Sequence, residues 1–283
     1  MQKFTYHCHT NFSDGESSVE EMIAQAAKLG FTEIGITDHI EIHKNIISSP
    51  DREKVLAASW DRIQRDNFDD LKPLASKHIK TIRETAKKYP IDVLVGFEVD
   101  FFSYPEWLGD FNKFKSGLDI DYLISGNHMA TSPNDDTVFF ITTIKEHAKS
   151  PSEADQYIKT HFQNIKKSIE SNLFSFIAHL DFVRWGGVVG EHDYKDERME
   201  LIETLAKTGT PTEINTKGMA SVGGFYPAQW MLKEMNIRKI PIVISDDAHH
   251  INQIGIHFDK AEALLDTMNY KHRFDLKHLI KKK

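Results

Sequence analysis

Short apolar runs alternate with longer amphipathic stretches along this chain, and one run after another closes on a histidine or a carboxylate. Phe4 to His7 reads as a strand. A helix follows over about 18–29, where Val19, Met22, Ile23, Ala26 and Ala27 repeat at helical spacing and Gly30 can end it. Further strands are predicted at 33–37, 91–99, 121–125, 174–178, 211–215 and 240–245. Helices are predicted between them at about 75–88, 152–171, 196–207 and 227–235, with a short helical stretch ahead of 121 and a terminal helix near 259–268. Pro50 and Pro73 read as breaks, 133–136 as a loop, and Lys281–Lys283 as a solvated tail. Seven βα-like units in succession are the pattern of a parallel sheet wrapped by helices. The expected architecture is α/β, a single barrel-like domain over residues 1–283 with insertions at about 43–90 and 130–150.

The run ends carry the chemistry. His7 and His9 close the first strand one residue apart, so both imidazoles point to one face and can aim at one ion, with Cys8 facing the other way as a small buried hydrophobe. The later strands carry or end in Thr37-Asp38-His39, Glu98, Asn127-His128, Ala178-His179 and Asp246-Asp247-Ala248-His249. In a parallel barrel these C-terminal ends converge on one rim, where active sites sit. Any one of these residues alone is better read as a hydrogen-bonded core or surface group; the shared placement is what makes the set a site. Asp14 lies just past the first strand and reads equally as a turn residue or a ligand. His43, His78, His147, His161, His192, His250, His257, His272 and His278 lack strand-end placement and read as surface residues. Mixed imidazole and carboxylate ligands suit Zn, Mn, Fe or Co more than Mg. The donors exceed one tetrahedral shell, so more than one ion is implied, with Glu98 as the bridging carboxylate.

Composition limits the alternatives. A net charge of -7 over 283 residues argues against a broad nucleic-acid footprint, which needs clustered cations. One cysteine excludes an intrachain disulfide and fits a reducing compartment. Residues 1–7 lack an apolar signal-peptide core, and no run is long enough to cross a bilayer, so a cytoplasmic location is expected with no membrane partner.

The ordered set His7-Cys8-His9, Thr37-Asp38-His39, Glu98, His128, His179 and Asp247-Ala248-His249 resembles the PHP (polymerase and histidinol phosphatase) superfamily across residues 7–249. The resemblance implies a distorted (β/α)7 TIM-like barrel with three divalent metal ions at the C-terminal ends of the strands. It assigns His7, His9, Glu98 and Asp247 to the first ion, Glu98, His128 and His179 to the second, and Asp14, His39 and His249 to the third. The family often has histidine where Asp14 stands, and the Asp-x-His spacing selects Asp247 over Asp246. Gly96-Phe97-Glu98-Val99-Asp100 and the stand-alone length resemble the histidinol-phosphate phosphatases, which implies hydrolysis of L-histidinol phosphate.

On that reading a metal-bridging hydroxide attacks phosphorus in line. Arg184 is the first candidate for a cationic phosphate clamp and Lys217 the second, while Asp246 is a candidate acid for the leaving oxygen. Asp100, Glu213 and Asn215 are candidate acceptors for the substrate's amine and imidazole, and Trp185 or Tyr226 a stacking surface for its ring. The expected partner is a small phosphate monoester rather than nucleic acid. A phosphoesterase acting on nucleotides or DNA ends remains open, as does an amidohydrolase-like hydrolase, although no lysine stands where such barrels commonly bridge their metals. A non-catalytic metal scaffold would need only one closed shell.

Overall fold

The computed structural model describes residues 2–51 and 64–277. His278 and the Lys281–Lys283 tail lie outside the described residues. The strands are β1 (Phe4–Thr5), β2 (Glu33–Ile36), β3 (His39–Ile40), β4 (Asp92–Val99), β5 (Tyr122–Ser125), β6 (Met129–Thr131), β7 (Val138–Phe140), β8 (Phe176–Ile177), β9 (Thr212–Asn215) and β10 (Ile242–Ser245). The main sheet runs β1-β2-β4-β5-β8-β9-β10 with every pairing parallel. β3 continues β2 past Thr37-Asp38 and pairs with β4 in the same register, His39 opposite Glu98 as Glu33 is opposite Asp92. A parallel bridge between Cys8 and Ala248, with His9 N–H donating to the Ala248 carbonyl at 2.8 Å, draws the first strand to the last. The result is a nearly closed barrel of seven parallel strands, the expected architecture.

Side-chain alternation divides the core. Ile34, Ile36, Phe97, Leu123, Ile177, Ile214 and Ile244 belong to the large cluster shared with the helices. Tyr6, Tyr122, Ile124, Phe176, Ala178 and Val243 form a second cluster that fills the barrel interior. Tyr122 donates to the Tyr6 carbonyl at 2.7 Å and lies where other side chains would be. A Cβ on Gly35 would fall 1.9 Å from its hydroxyl, and one on Gly96 2.8 Å from its ring. The floor of the barrel is therefore solid, and the opposite end is left for polar groups.

The helices packed around it are α1 (Val19–Lys28), α2 (Phe68–Ala86), α3 (Pro105–Lys115), α4 (Pro151–Glu170), α5 (Lys195–Thr208), α6 (Gln229–Ile237) and α7 (Phe258–Thr267). Ser18 and Glu21 form a reciprocal capping box on α1. α2 begins earlier than expected and runs through Pro73, which does not break it. Asn67 caps it by accepting from Asp70 N–H, and Phe68, Leu71, Ala75, Ile79 and Ile82 are buried along it. Burial of that face offsets the one backbone bond Pro73 cannot make. The segment after β5 holds an antiparallel hairpin of β6 and β7, where the sequence pattern points only to a loop. Among the described residues no helix is long and apolar enough to cross a membrane.

Candidate metal centre

At the C-terminal ends of the strands the chain leaves regular geometry in order to aim side chains inward. Asn127 and Asp247, just past β5 and β10, adopt left-handed φ of 56° and 50°, a conformation costing about 1–3 kcal/mol where the surroundings impose it. Gly126 is required by crowding, since a Cβ there would lie 2.5 Å from His128 Cε1 and 2.7 Å from Glu98 Oε1. Gly126→Ala should destabilise the fold by about 1–3 kcal/mol and displace His128, as overpacking does. Urea unfolding beside metal content checks this, and an unchanged midpoint would contradict it.

All nine candidate ligands gather at this rim. Glu98 is the hub. Its Oε2 lies 3.1 Å from His7 Nε2, 3.3 Å from His9 Nε2 and 3.1 Å from His39 Nδ1, while Oε1 lies 2.8 Å from His179 Nε2 and 3.5 Å from His128 Nε2. Asp247 Oδ1 is 3.3 Å from His9 Nε2 and 3.4 Å from His249 Nδ1. Asp14 meets His249 at 3.0 Å and His39 at 3.3 Å. The donor atoms form overlapping groups, His9-Asp14-His39-His249, His7-His9-Glu98, His7-His179-Asp247 and His39-Glu98-His128, each within a radius one cation can serve.

The electrostatics are those of imidazoles and carboxylates buried together. Burial opposes charge on His7, but the carboxylates of Glu98, Glu213 and Asp247 outweigh it and hold its pKa well above the usual value. Burial likewise opposes charge on His39, where Asp14 and Glu98 win and lift it to about 10. Burial above all, with His249 and His39 alongside, drives His9 down to about 3. Glu98 and Asp247 are held well below the carboxylate range despite burial, Glu98 by His7, His128 and His39, and Asp247 by Lys217 and His7. Yet His7 Nε2, both ring nitrogens of His9 and Glu98 Oε2 make no hydrogen bond, although all are buried. Each unsatisfied buried polar atom costs about 1–3 kcal/mol. Lone pairs converging in this way fit a metal ion, and the mixed imidazole–carboxylate donor set agrees.

Three polar residues sit behind the imidazoles, and their roles differ from the expected ones. Asp100 is not free for a substrate amine: it accepts from His128 N–H at 2.8 Å, His128 Nδ1 at 3.0 Å and Met129 N–H at 2.9 Å. Glu213 accepts from His7 Nδ1 at 3.0 Å, His179 N–H at 2.8 Å, Asn215 Nδ2 at 2.7 Å and the Ser245 hydroxyl. Asn215 spends its amide on Glu213 and Asp247 and its carbonyl on Lys217 N–H. These three hold the frame, because their polar atoms are consumed inside a buried network. Asp38, to which strand position alone assigns no role, accepts from Thr10, Ser13 and His78 and so fixes the loop that presents Asp14.

Asp246 is also corrected as an acid. One of its oxygens binds the Thr5 hydroxyl at 2.8 Å and the other Gly255 N–H at 2.6 Å, and it faces the Cys8 thiol rather than the imidazoles. Its pKa, raised to about 6, comes from burial. Lys217 does reach the cluster, its Nζ 3.2 Å from Asp247 Oδ1 and 3.0 Å from His249 Nδ1. Arg184 pairs with Asp181 at 2.7 Å, donates to the Phe225 carbonyl and lies over the Tyr226 ring at 5.0 Å. The ring of Tyr226 is 6.4 Å from that of His179. Trp185 is 40% exposed and edges on Phe140 and Phe182, which flank His128. His43, His78 and His161 are buried, not on the surface, and His147 pairs with Asp51 at 2.7 Å. Placement outside the strand ends conceals them, because helices and loops also bury one side.

A family model described as the PHP domain matches residues 5–217. The chain is 22% identical over 282 residues to the histidinol-phosphatase of Bacillus subtilis, covering 92% of this chain and 98% of that one. It is 24% identical over 277 residues to a Deinococcus radiodurans protein named "Probable histidinol-phosphatase", covering 94% and 96%. A structure from Listeria monocytogenes superposes with a TM-score of 0.71 at 22% identity over 91% of this chain and 99% of that one. The histidinol phosphate phosphatase of Lactococcus lactis, solved with zinc, L-histidinol and phosphate, gives 0.66 at 17% identity over 96% and 95%.

Proposed function

The chain belongs to the PHP domain family, and on that premise we propose that it is a metal-dependent phosphomonoesterase hydrolysing L-histidinol phosphate to L-histidinol and phosphate. The observation that carries the hydrolase reading is the convergence of His7, His9, His39, His128 and His179 on the two oxygens of Glu98. The substrate rests on relatives that match nearly end to end and bear that activity in their names. Three divalent ions, of Zn, Mn, Fe or Co, are proposed, on the sets His7-His9-Glu98-Asp247, Glu98-His128-His179 and Asp14-His39-His249. His7 and His9 also fall within overlapping groups with His179 and His249, so donors are shared densely across the rim.

When bound, such ions lower the pKa of coordinated water toward roughly 7 and neutralise phosphoryl charge. The chain's own residues prepare the rest. Glu213 fixes the Nδ1–H tautomer of His7 and leaves Nε2 as the donor atom facing the rim, and Asp100 does the same for His128. Lys217, with its ammonium at the cluster, is the proposed cation for the phosphate. Arg184 is buried and already engaged by Asp181, the Phe225 carbonyl and the Tyr226 ring, and is not proposed for it. Trp185, exposed beside Phe140 and Phe182, is the proposed surface for the imidazole of the leaving alcohol. Tyr226 is buried in the core with Arg184 over its ring and presents no such surface.

Glu213→Gln keeps the volume but loses the charge that orients His7. It should lower kcat/KM about 10–100-fold and raise the metal concentration needed for half activity, as removing such partners does. Wild-type metal dependence in this variant would remove the orienting role. The substrate assignment is tested by phosphate release with reconstituted metals, comparing histidinol phosphate, nucleotides, sugar phosphates and short DNA ends. Histidinol phosphate should give the highest kcat/KM; a preference for DNA ends would move the assignment to a nucleic-acid phosphoesterase.

A further inference from the structure

Asp14 differs from the other candidate ligands in where it sits. They lie at or just past strand ends, whereas Asp14 lies on a loop beyond His9 that turns back on itself. Ser13 N–H and Gly15 N–H both donate to the Thr10 carbonyl, at 3.1 and 3.0 Å. One buried carboxylate gathers this loop. Asp38 Oδ1 accepts from Thr10 N–H at 2.8 Å and from the Ser13 hydroxyl at 2.5 Å, while Oδ2 accepts from the Thr10 hydroxyl at 2.8 Å. Those partners all belong to the loop. One further bond reaches Oδ2 from outside it, from His78 Nε2 of α2 at 2.8 Å.

His78 holds the loop by a second contact as well. Its ring stacks on Phe12, with centroids 4.0 Å apart and planes 6° from parallel, and Phe12 is itself a loop residue two positions before Asp14. An ionised carboxylate can only accept, so Nε2 carries the proton toward Asp38. The helix behind the ring is firmly placed, because Leu71, Ala75, Ile79 and Ile82 are buried on either side of His78 along α2. The position of that helix is thereby passed to Asp14, whose carboxylate meets His249 at 3.0 Å and His39 at 3.3 Å.

We propose that His78 is a positioning residue for the ion held by Asp14, His39 and His249, setting its affinity by clamping the Asp14 loop against α2. The inference rests on the three-ion reading above. The sets for the other two ions, His7-His9-Glu98-Asp247 and Glu98-His128-His179, stand on strand ends and take no ligand from the loop. Loosening the clamp therefore weakens one ion of the three. A general loss of stability would weaken all of them together.

The test is a zinc titration of the metal-stripped full chain, with bound zinc counted by elemental analysis and affinity read by competition with a chelator. Wild type should bind three equivalents. His78→Phe keeps a ring against Phe12 but removes the bond to Asp38; it should weaken one equivalent about 10–100-fold and leave the other two within about twofold. His78→Gln, which can still donate to Asp38, should fall between His78→Phe and wild type. Phe12→Leu removes the stack at a half-buried position and should weaken the same equivalent at least about threefold, which decides the matter should His78→Phe fail to fold. Ile79→Val loosens the packing of α2 alone and should leave all three equivalents as in wild type. A third equivalent as tight in His78→Phe as in wild type overturns the inference and leaves the three-ion reading standing, as does equal weakening of all three. Fewer than three equivalents in the wild type overturns both.

Discussion

Replacing Glu98 with alanine should abolish phosphatase activity, by more than about 10³-fold, and strip most of the bound metal. The expected loss exceeds the roughly 10–100-fold for an outer-shell partner because Glu98 is the meeting point of the cluster. Its two oxygens face five imidazoles at 2.8–3.5 Å and are almost wholly buried. With the carboxylate gone, those rings have no common anion, and any cation placed among them loses a shared ligand on both sides. Glu98→Gln separates charge from shape: it keeps the volume and one oxygen acceptor but forfeits the negative charge. Both variants should therefore lose metal, measured by elemental analysis, with the glutamine variant keeping more thermal stability. Full metal content and activity in Glu98→Gln would sink the bridging role.

Much of this rim is legible in the order of residues alone, because parallel strands send their C-terminal ends to one place. His7, His9, His39, Glu98, His128, His179, Asp247 and His249 each sit at or near such an end, so strand order gathers them. The supporting shell is not legible in the same way. Whether Glu213 faces a substrate or His7 depends on barrel closure, which brings β9 beside β8 and β10 and places His7 across the interior. Strand position marks Asp100, Glu213 and Asn215 as important without saying which way their hydrogen bonds run. Asp246 and Asp247 are neighbours in the chain with opposite surroundings. The former is bound into the wall by Thr5 and Gly255, and the latter is turned into the cluster by a left-handed backbone. His78 carries no strand-end signal at all, because its partner Asp38 lies across the gap between a helix and a strand break. The β6–β7 hairpin has a local signature, with the apolar runs Met129-Ala130 and Val138-Phe139-Phe140 flanking a polar turn, and its shortness hides it among longer elements.

Removing the ions with a chelator should extinguish activity completely, and adding back one of Zn, Mn, Fe or Co should restore it. Stability should move with it. Ligand held at about 1,000 times its Kd stabilises a fold by about 4 kcal/mol, so stripping should lower Tm by on the order of 10 °C. The metal-free cluster is not simply empty of charge, however. Carboxylates hold His7 and His39 protonated, the latter with a pKa of about 10, whereas coordination requires neutral rings. Loading at neutral pH should therefore release protons, and the heat of binding should shift with the ionisation heat of the buffer. The pH dependence of the stripped protein has a definite sign. A raised imidazole contributes stability that is fully present below its unfolded value of roughly 6.5 and is lost as pH rises toward 10. The depressed carboxylates Asp14, Glu98 and Asp247 contribute stability that is lost as pH falls below the usual carboxylate range. Metal should flatten the alkaline limb, because neutral rings are what it binds, and leave the acid limb steep, because protonating the carboxylates expels it. Thermal scans from about pH 5 to 10 with and without metal follow the alkaline limb, and scans continued to about pH 2 follow the acid one. An alkaline limb unaffected by metal, together with buffer-independent heats, would show that these imidazoles are not the ligands.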